Sequence, residues 1–255
     1  MAEIERLAVL SDIHGVLPAL EAVLAEPDVA AADRIALTGD LAAGPQPVET
    51  LDLLASLGDR AIWIRGNADR ELAEMAGGQL ADPPDAISPW AAKQLRPDQV
   101  ELLAGLPERA VVTVAGLGQV LLCHATPRND TEVVLVDSRM DRWTEVMDGL
   151  GDEVTTVVCG HTHMPFARLA HGRMIVNPGS IGMPYGRTGA HWALLGPGVQ
   201  LRRTRFDAAA ARARLIAESG YPDAAAWADD YITSSAGDGE AIGVFGPRDG
   251  RPASS

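Results

Sequence analysis

Seven polar side chains stand at the ends of apolar runs in this 255-residue chain: Asp12 and His14 after RLAVLS, Asp40 after RIALTG, Asn67 after AIWIRG, His124 after QVLLC, and His161 and His163 after TTVVCG. Two carboxylates, one amide and four imidazoles form an oxygen and nitrogen donor set without thiolate. Such a set suits a borderline or hard divalent ion such as Mn, Fe, Zn or Ni. Seven donors exceed what one ion usually takes, whereas two ions sharing one carboxylate would use them all. A lone His at a strand end is usually a satisfied core or surface residue, and a lone Gly-Asp is usually a turn. Their joint recurrence after apolar runs points instead to a dinuclear metal centre.

Those donors need a sheet whose strand ends converge. RLAVL, DRIAL and RAIWI read as buried strands ending in Gly turns, and LPALEAVLAE and PVETLDLLASLG between them carry apolar residues at helical spacing. Open α/β sheets collect ligands at such strand C-termini. Residues 70–107 read as a helical cap-like segment containing SPWAAKQL and PDQVELLAGL. From Ala110 onward the pattern is of paired strands: AVVTV with QVLLC, FARLA with RMIVN, and HWALL with VQLRRTRF, with a helix near SRMDRWTEVMDGLG. One layered domain over residues 1–206 is expected. Residues 207–255 should hold one helix, DAAAARARLIAESG, and a flexible Gly/Ser/Pro-rich tail.

A formal charge of -14 argues against nonspecific nucleic-acid or anionic-membrane binding, which needs clustered basic residues. Positive charge for any phosphate chemistry must therefore be local. Cys123 and Cys159 end apolar runs and read as buried thiols of a reducing compartment. No run approaches the roughly 20 apolar residues of a membrane span, and a cytoplasmic location is expected.

The order D-x-H, G-D, G-N, H and G-H-x-H, each after a strand, resembles the calcineurin-like metallophosphoesterase superfamily over about residues 7–195. The Asn177–Ser180 sequence NPGS is similar to its small bacterial and archaeal phosphodiesterase branch, which includes diadenosine tetraphosphatase-like proteins. The resemblance implies a four-layer α/β/β/α sandwich of two mixed β-sheets flanked by helices. It also implies two divalent ions from among Mn, Fe, Zn, Ni and Co, with Mn favoured in vitro. Asp12, His14 and His163 would hold one ion, Asn67, His124 and His161 the other, and Asp40 would bridge them. Asp12, Asp40, Asn67 and His124 would take part in catalysis, with a metal-bound hydroxide attacking phosphorus.

Many relatives continue the Gly-Asn motif into a His that protonates the leaving group, but here Ala68 and Asp69 follow. A small phosphorylated substrate whose leaving group needs little help, a phosphodiester or a nucleotide polyphosphate, is therefore expected. Arg128 and Asn129, just past His124, could hold phosphate oxygens or simply be loop surface. Arg65 could do likewise or form an ion pair. Asn177 and Ser180 could line the pocket or make a tight turn, and Asp69 could orient a metal ligand. His171 reads as turn surface, and His191 as structural or as a substitute acid. The segment around Trp90 could support a homodimer. Competing readings are a Ser/Thr protein phosphatase or phosphomonoesterase, and a non-catalytic metal-containing binding module.

Overall fold

The computed structural model describes residues 3–80, 83, 85–234 and 236–250. Its strands are β1 (Leu7–Leu10), β2 (Arg34–Leu37), β3 (Ala61–Trp63), β4 (Arg109–Val114), β5 (Gly118–Cys123), β6 (Val154–Val158), β7 (Phe166–Ala170), β8 (Arg173–Asn177), β9 (Ala190–Leu195) and β10 (Val199–Thr204). Its helices are α1 (Leu17–Leu24), α2 (Pro27–Ala30), α3 (Pro47–Ala55), α4 (Asn67–Ala76), α5 (Ile87–Gln94), α6 (Pro97–Ala104), α7 (Met140–Val146), α8 (Ala208–Glu218), α9 (Ala224–Ala228) and α10 (Asp238–Phe245).

The strands form two five-stranded sheets, ordered β10-β9-β1-β2-β3 and β4-β5-β6-β8-β7. Both are mixed: β1, β2 and β3 run parallel with β9 antiparallel to β1, while β5, β6 and β8 run parallel between antiparallel β4 and β7.

Strand alternation explains the layers. Leu7 and Val9 of β1 join Ala36, Val120, Leu122, Val158 and Val176 in a core between the sheets. Their neighbours Ala8 and Leu10 face the other way, into a cluster with Leu20 and Val23 of α1, Leu51 and Leu54 of α3, and Leu72 of α4. On the far side, Leu121, Cys123, Val157 and Cys159 pack against Trp143 and Val146 of α7. With both faces covered, β1 and β5 must read as continuous apolar runs. The expected four-layer α/β/β/α sandwich is what these clusters build. Cys123 and Cys159 are buried and free.

Two expectations give way. The helices of the cap-like segment, α5 and α6, bury Ala91, Ala92 and Leu103 in the helical layer of the first sheet, and only Asp85, Ala86 and Ile87 reach a cavity beside His14. The segment after residue 206 is no loose tail as far as residue 250. Leu215 of α8, Trp227 and Ala228 of α9 and Ile232 are buried in the same layer, and Ala241 and Phe245 of α10 pack on Val133, Leu135 and Met164. Small residues hid this: Ala224–Ala228 and Ala241 dock closely without the long apolar stripe that sequence patterning detects. Residues 251–255, also assigned to the tail, lie outside the described residues.

Candidate metal centre

Each of the seven donors leaves a strand C-terminus, and the backbone there turns sharply. Six non-glycine residues among those described have left-handed φ, and five are Asp12 (54°), His14 (50°), Asp40 (54°), His161 (66°) and His163 (55°). Left-handed backbone costs an L-residue about 1–2 kcal/mol, so five such turns at one place mark a site held against local preference. The sixth, His171, forms with Gly172 the two-residue turn of the β7-β8 hairpin. The glycines beside the donors permit close approach. A Cβ on Gly66 would lie 2.2 Å from Asp40 Oδ1, and one on Gly160 would lie 2.1 Å from Ser11 Oγ.

The donors converge as two groups. Asp12, His14, Asp40 and His163 each offer an atom within 4.8 Å of the others, as do Asp40, His124 and His161. Asp40 belongs to both: its Oδ2 lies 3.8 Å from His14 Nε2 and 3.3 Å from His124 Nε2. Asn67 Oδ1 is 3.2 Å from His124 Nε2, on the side of the second group. Its amide nitrogen donates to Glu71, which turns the oxygen toward the centre.

Backbone carbonyls fix the imidazoles. His14, His124 and His163 donate from Nδ1 to the carbonyls of Ala43, Thr38 and Met183 at 3.1, 2.8 and 2.8 Å. A carbonyl only accepts, so Nδ1 carries a proton and Nε2 is the nitrogen turned to the centre, free to ligate once it is deprotonated.

Two features fit divalent ions. His161 Nε2 is buried without a hydrogen-bond partner, a costly state that a cation relieves. His14 and His163 point their Nε2 atoms at one another across 3.2 Å, a spacing that needs a proton or a cation between the two nitrogens. The residues present therefore suit two ions with Asp40 between them.

Electrostatics agree. Burial pushes the Asp40 and Asp12 carboxyls up, but the imidazoles of His124 and His163 respectively more than reverse this and hold both low. Burial pushes His124 down, and Asp40 carries it up to about 10. His161 falls to about 4 through burial and the neighbouring His124. The two buried carboxylates thus demand positive charge from whatever shares the site with them.

Asp69, nominated to orient a ligand, is fully buried and accepts the backbone N–H groups of Asp40, Leu41 and Gly66 at 2.9, 2.8 and 2.9 Å. Burial and the Asp40 charge raise its carboxyl to about 7. It ties the Gly-Asp loop to the start of α4. There the Ala68 N–H donates to Asp40 Oδ1 at 2.8 Å, leaving Oδ2 for the centre. The Ala68 side chain packs against the helical-layer core and has no proton to give a leaving group.

The four residues nominated for substrate contact each have partners within the chain. Asn177 and Ser180 are fully buried. The Asn177 amide donates to Gly160 O and Thr162 Oγ1, and Ser180 Oγ donates to Asp12 O while accepting from Met183 N. With their polar atoms committed, both hold ligand-bearing loops. Arg128 is paired with Glu132 and Glu145, and Asn129 Oδ1 accepts from Thr131 N and Glu132 N in a local turn. Arg65 pairs with Glu108 at 2.7 Å. His191 Nε2 donates to Arg187 O, 2.9 Å away, as a structural contact.

Sequence reading missed the aromatic wall beside the centre. Tyr185 lies 6.4 Å from the His163 ring and Phe245 lies 6.1 Å from the His161 ring, centroid to centroid. Phe245 is 82 residues from His163 along the chain, and no local pattern connects them.

Residues 6–196 match the family model of the calcineurin-like phosphoesterase superfamily domain, and the chain belongs to that superfamily. A symmetrical bis(5'-nucleosyl)-tetraphosphatase of Yersinia enterocolitica is 35% identical over 135 residues, 51% of this chain and 45% of that protein. The chain thus matches less than half of that relative's length. An uncharacterized protein of Methanocaldococcus jannaschii is 25% identical over 199 residues, 70% of this chain and 76% of its own length. Among solved structures, a metallophosphoesterase from Sphaerobacter thermophilus superposes with a TM-score of 0.69 at 25% identity, covering 88% of this chain and 98% of that one. A hypothetical protein from Pyrococcus horikoshii shares the fold, with a TM-score of 0.73, 21% identity, and 91% and 99% coverage.

Proposed function

We propose that the chain is a phosphoester hydrolase that holds two divalent ions and cleaves phosphodiester or nucleotide polyphosphate bonds. One observation carries the reading: six Asp and His side chains meet in two groups that share Asp40, and Asn67 Oδ1 lies 3.2 Å from His124 Nε2 beside the second. When bound, two such ions supply a nucleophile from water near neutral pH and counter-charge for phosphoryl oxygens. Asp12, His14 and His163 would hold one ion, Asn67, His124 and His161 the other, and Asp40 both. Mn, Fe, Zn, Ni and Co all suit these donors.

The chain's own residues do the positioning. Asp69 and the start of α4 fix Asp40, Glu71 turns Asn67, and three carbonyls hold the imidazoles. No imidazole follows Asn67, and general acid catalysis is typically worth about 10²- to 10⁴-fold. Poor alkyl leaving groups should therefore suffer most. The tetraphosphatase relative supports a polyphosphate substrate, and the free buried thiols support a cytoplasmic setting.

Turnover of bis(4-nitrophenyl) phosphate, diadenosine tetraphosphate, 4-nitrophenyl phosphate and a phosphopeptide with Mn, Ni, Co or Fe tests the reading. The first two should be cleaved faster than the last two. Preference for the phosphopeptide would favour a protein phosphatase, and no turnover with any metal would favour a binding module.

A further inference from the structure

A cavity of about 540 Å³ opens beside His163, walled by the Met183–Tyr185 loop, the turn carrying Asp230 and Tyr231, and α10. Three aromatic rings face it: Tyr185, Tyr231 and Phe245. Tyr185 and Phe245 stand at 83° with centroids 6.1 Å apart, making a corner whose two sides run on to His163 and His161. A second cavity of about 400 Å³ lies beside His14 and shares Met183, Asp230 and Tyr231 with the first. Both adjoin the group of Asp12, His14, Asp40 and His163.

Charge decides what fits there. The first lining carries Asp230 and Glu240, and the second adds Asp85 and Asp223. Neither lining contains Lys or Arg among the described residues. Arg248 lies over the Phe245 ring at 5.8 Å without joining either lining. The Tyr231 phenol is pushed up by burial and then by Asp230 and Asp85, in keeping with a negative potential. An extended phosphate chain wants guanidinium or ammonium partners, and here it would meet carboxylates. An organic cation gains from both the ring faces and the carboxylates.

We propose that this aromatic and acidic cavity receives the alcohol substituent of a phosphodiester as an organic ammonium group of the choline type. The proposal rests on the hydrolase reading, because it places the substituent beside the centre that would bind phosphorus. Residues Tyr231, Glu240 and Phe245 come from the segment beyond residue 196, outside the stretch that matches the family model. The family domain supplies the donors, and the added segment selects the substituent.

The test compares 4-nitrophenyl phosphorylcholine with its uncharged carbon isostere, 4-nitrophenyl 3,3-dimethylbutyl phosphate. In both, water adds to phosphorus, the aryl P–O bond breaks, 4-nitrophenolate leaves, and a proton is released with the alkyl phosphate. At exposed sites a cation over aromatic rings gains enough for a preference of about two- to fivefold in kcat/KM, the carboxylates should add to it, and the ratio should fall in the Asp230→Asn, Glu240→Gln double variant. Equal turnover of the two esters, or a ratio unmoved by the double variant, overturns the proposal. Titration of the chelator-treated protein with tetramethylammonium, read by tyrosine fluorescence, provides an arm without turnover. Saturable binding weakened in the double variant upholds the ammonium site, and no binding overturns it. Should no aryl diester be cleaved with any metal, the hydrolase reading fails while the tetramethylammonium arm still decides the cavity.

Discussion

At Asp69 one carboxylate organises three backbone N–H groups that would otherwise be buried without partners. Each such orphan costs about 1–3 kcal/mol, and the three are close enough not to add fully. Asp69→Ala should therefore destabilise the fold by roughly 3–5 kcal/mol and loosen Asp40. Urea unfolding checks the first effect, and Mn binding at equilibrium checks the second. A variant of native stability that still binds two Mn would remove Asp69 from this role. The residue was visible in sequence as a polar group two positions after Asn67; its burial, and the loop it closes 28 residues away, were not.

Among the elements, strands place the donors and helices tune them. The donors leave β1, β2 and the β3 end in one sheet and β5 and β6 in the other, so the centre sits where the two sheets meet and depends on their mutual packing. Helix α4 begins at Asn67; its Ala68 N–H donates to Asp40 and the N–H of its N-cap Gly66 donates to Asp69, where a helix N-terminus favours negative charge. Helix α8 is capped by Asp207, whose side chain accepts from Ala210 N at 3.0 Å. Replacing such a cap costs about 1 kcal/mol. Asp207→Ala should lower the thermal midpoint modestly and raise amide exchange in α8 and α9, with metal stoichiometry unchanged. Exchange unaffected in both helices would show that tertiary packing, not the cap, holds the segment.

For the whole molecule, the question is how an acidic chain assembles a site for phosphate. Its formal charge is -14, and two of its carboxylates, Asp12 and Asp40, are held in the ionised form inside the buried centre. Bound cations would reverse the local sign. A ligand at 100 times its Kd stabilises the folded state by about 2.7 kcal/mol, which for a chain of this size is roughly 5–10 °C in Tm. Saturating Mn should raise Tm by about that much per ion, with two ions per chain by elemental analysis, and a chelator should reverse the shift. A midpoint indifferent to both would remove the metal centre.

The candidate donors could be read because each is encoded locally, just past an apolar run, in Ser-Asp-Ile-His, Gly-Asp, Gly-Asn, Cys-His or Gly-His-Thr-His, with no knowledge of the strand's partner. The layered α/β class followed from the same local signals, strand and helix periodicities alternating along the chain. Convergence was different. His14 and His163 are 149 residues apart yet 3.2 Å from each other, a relation set by sheet order rather than by any stretch of chain. Burial of Asn177 and Ser180, the ion pairs that occupy Arg128, and the docking of α8 to α10 around an aromatic cavity arise likewise from contacts between distant segments. A side chain's polar partners depend on what packs against it, and that is fixed only once the chain has folded.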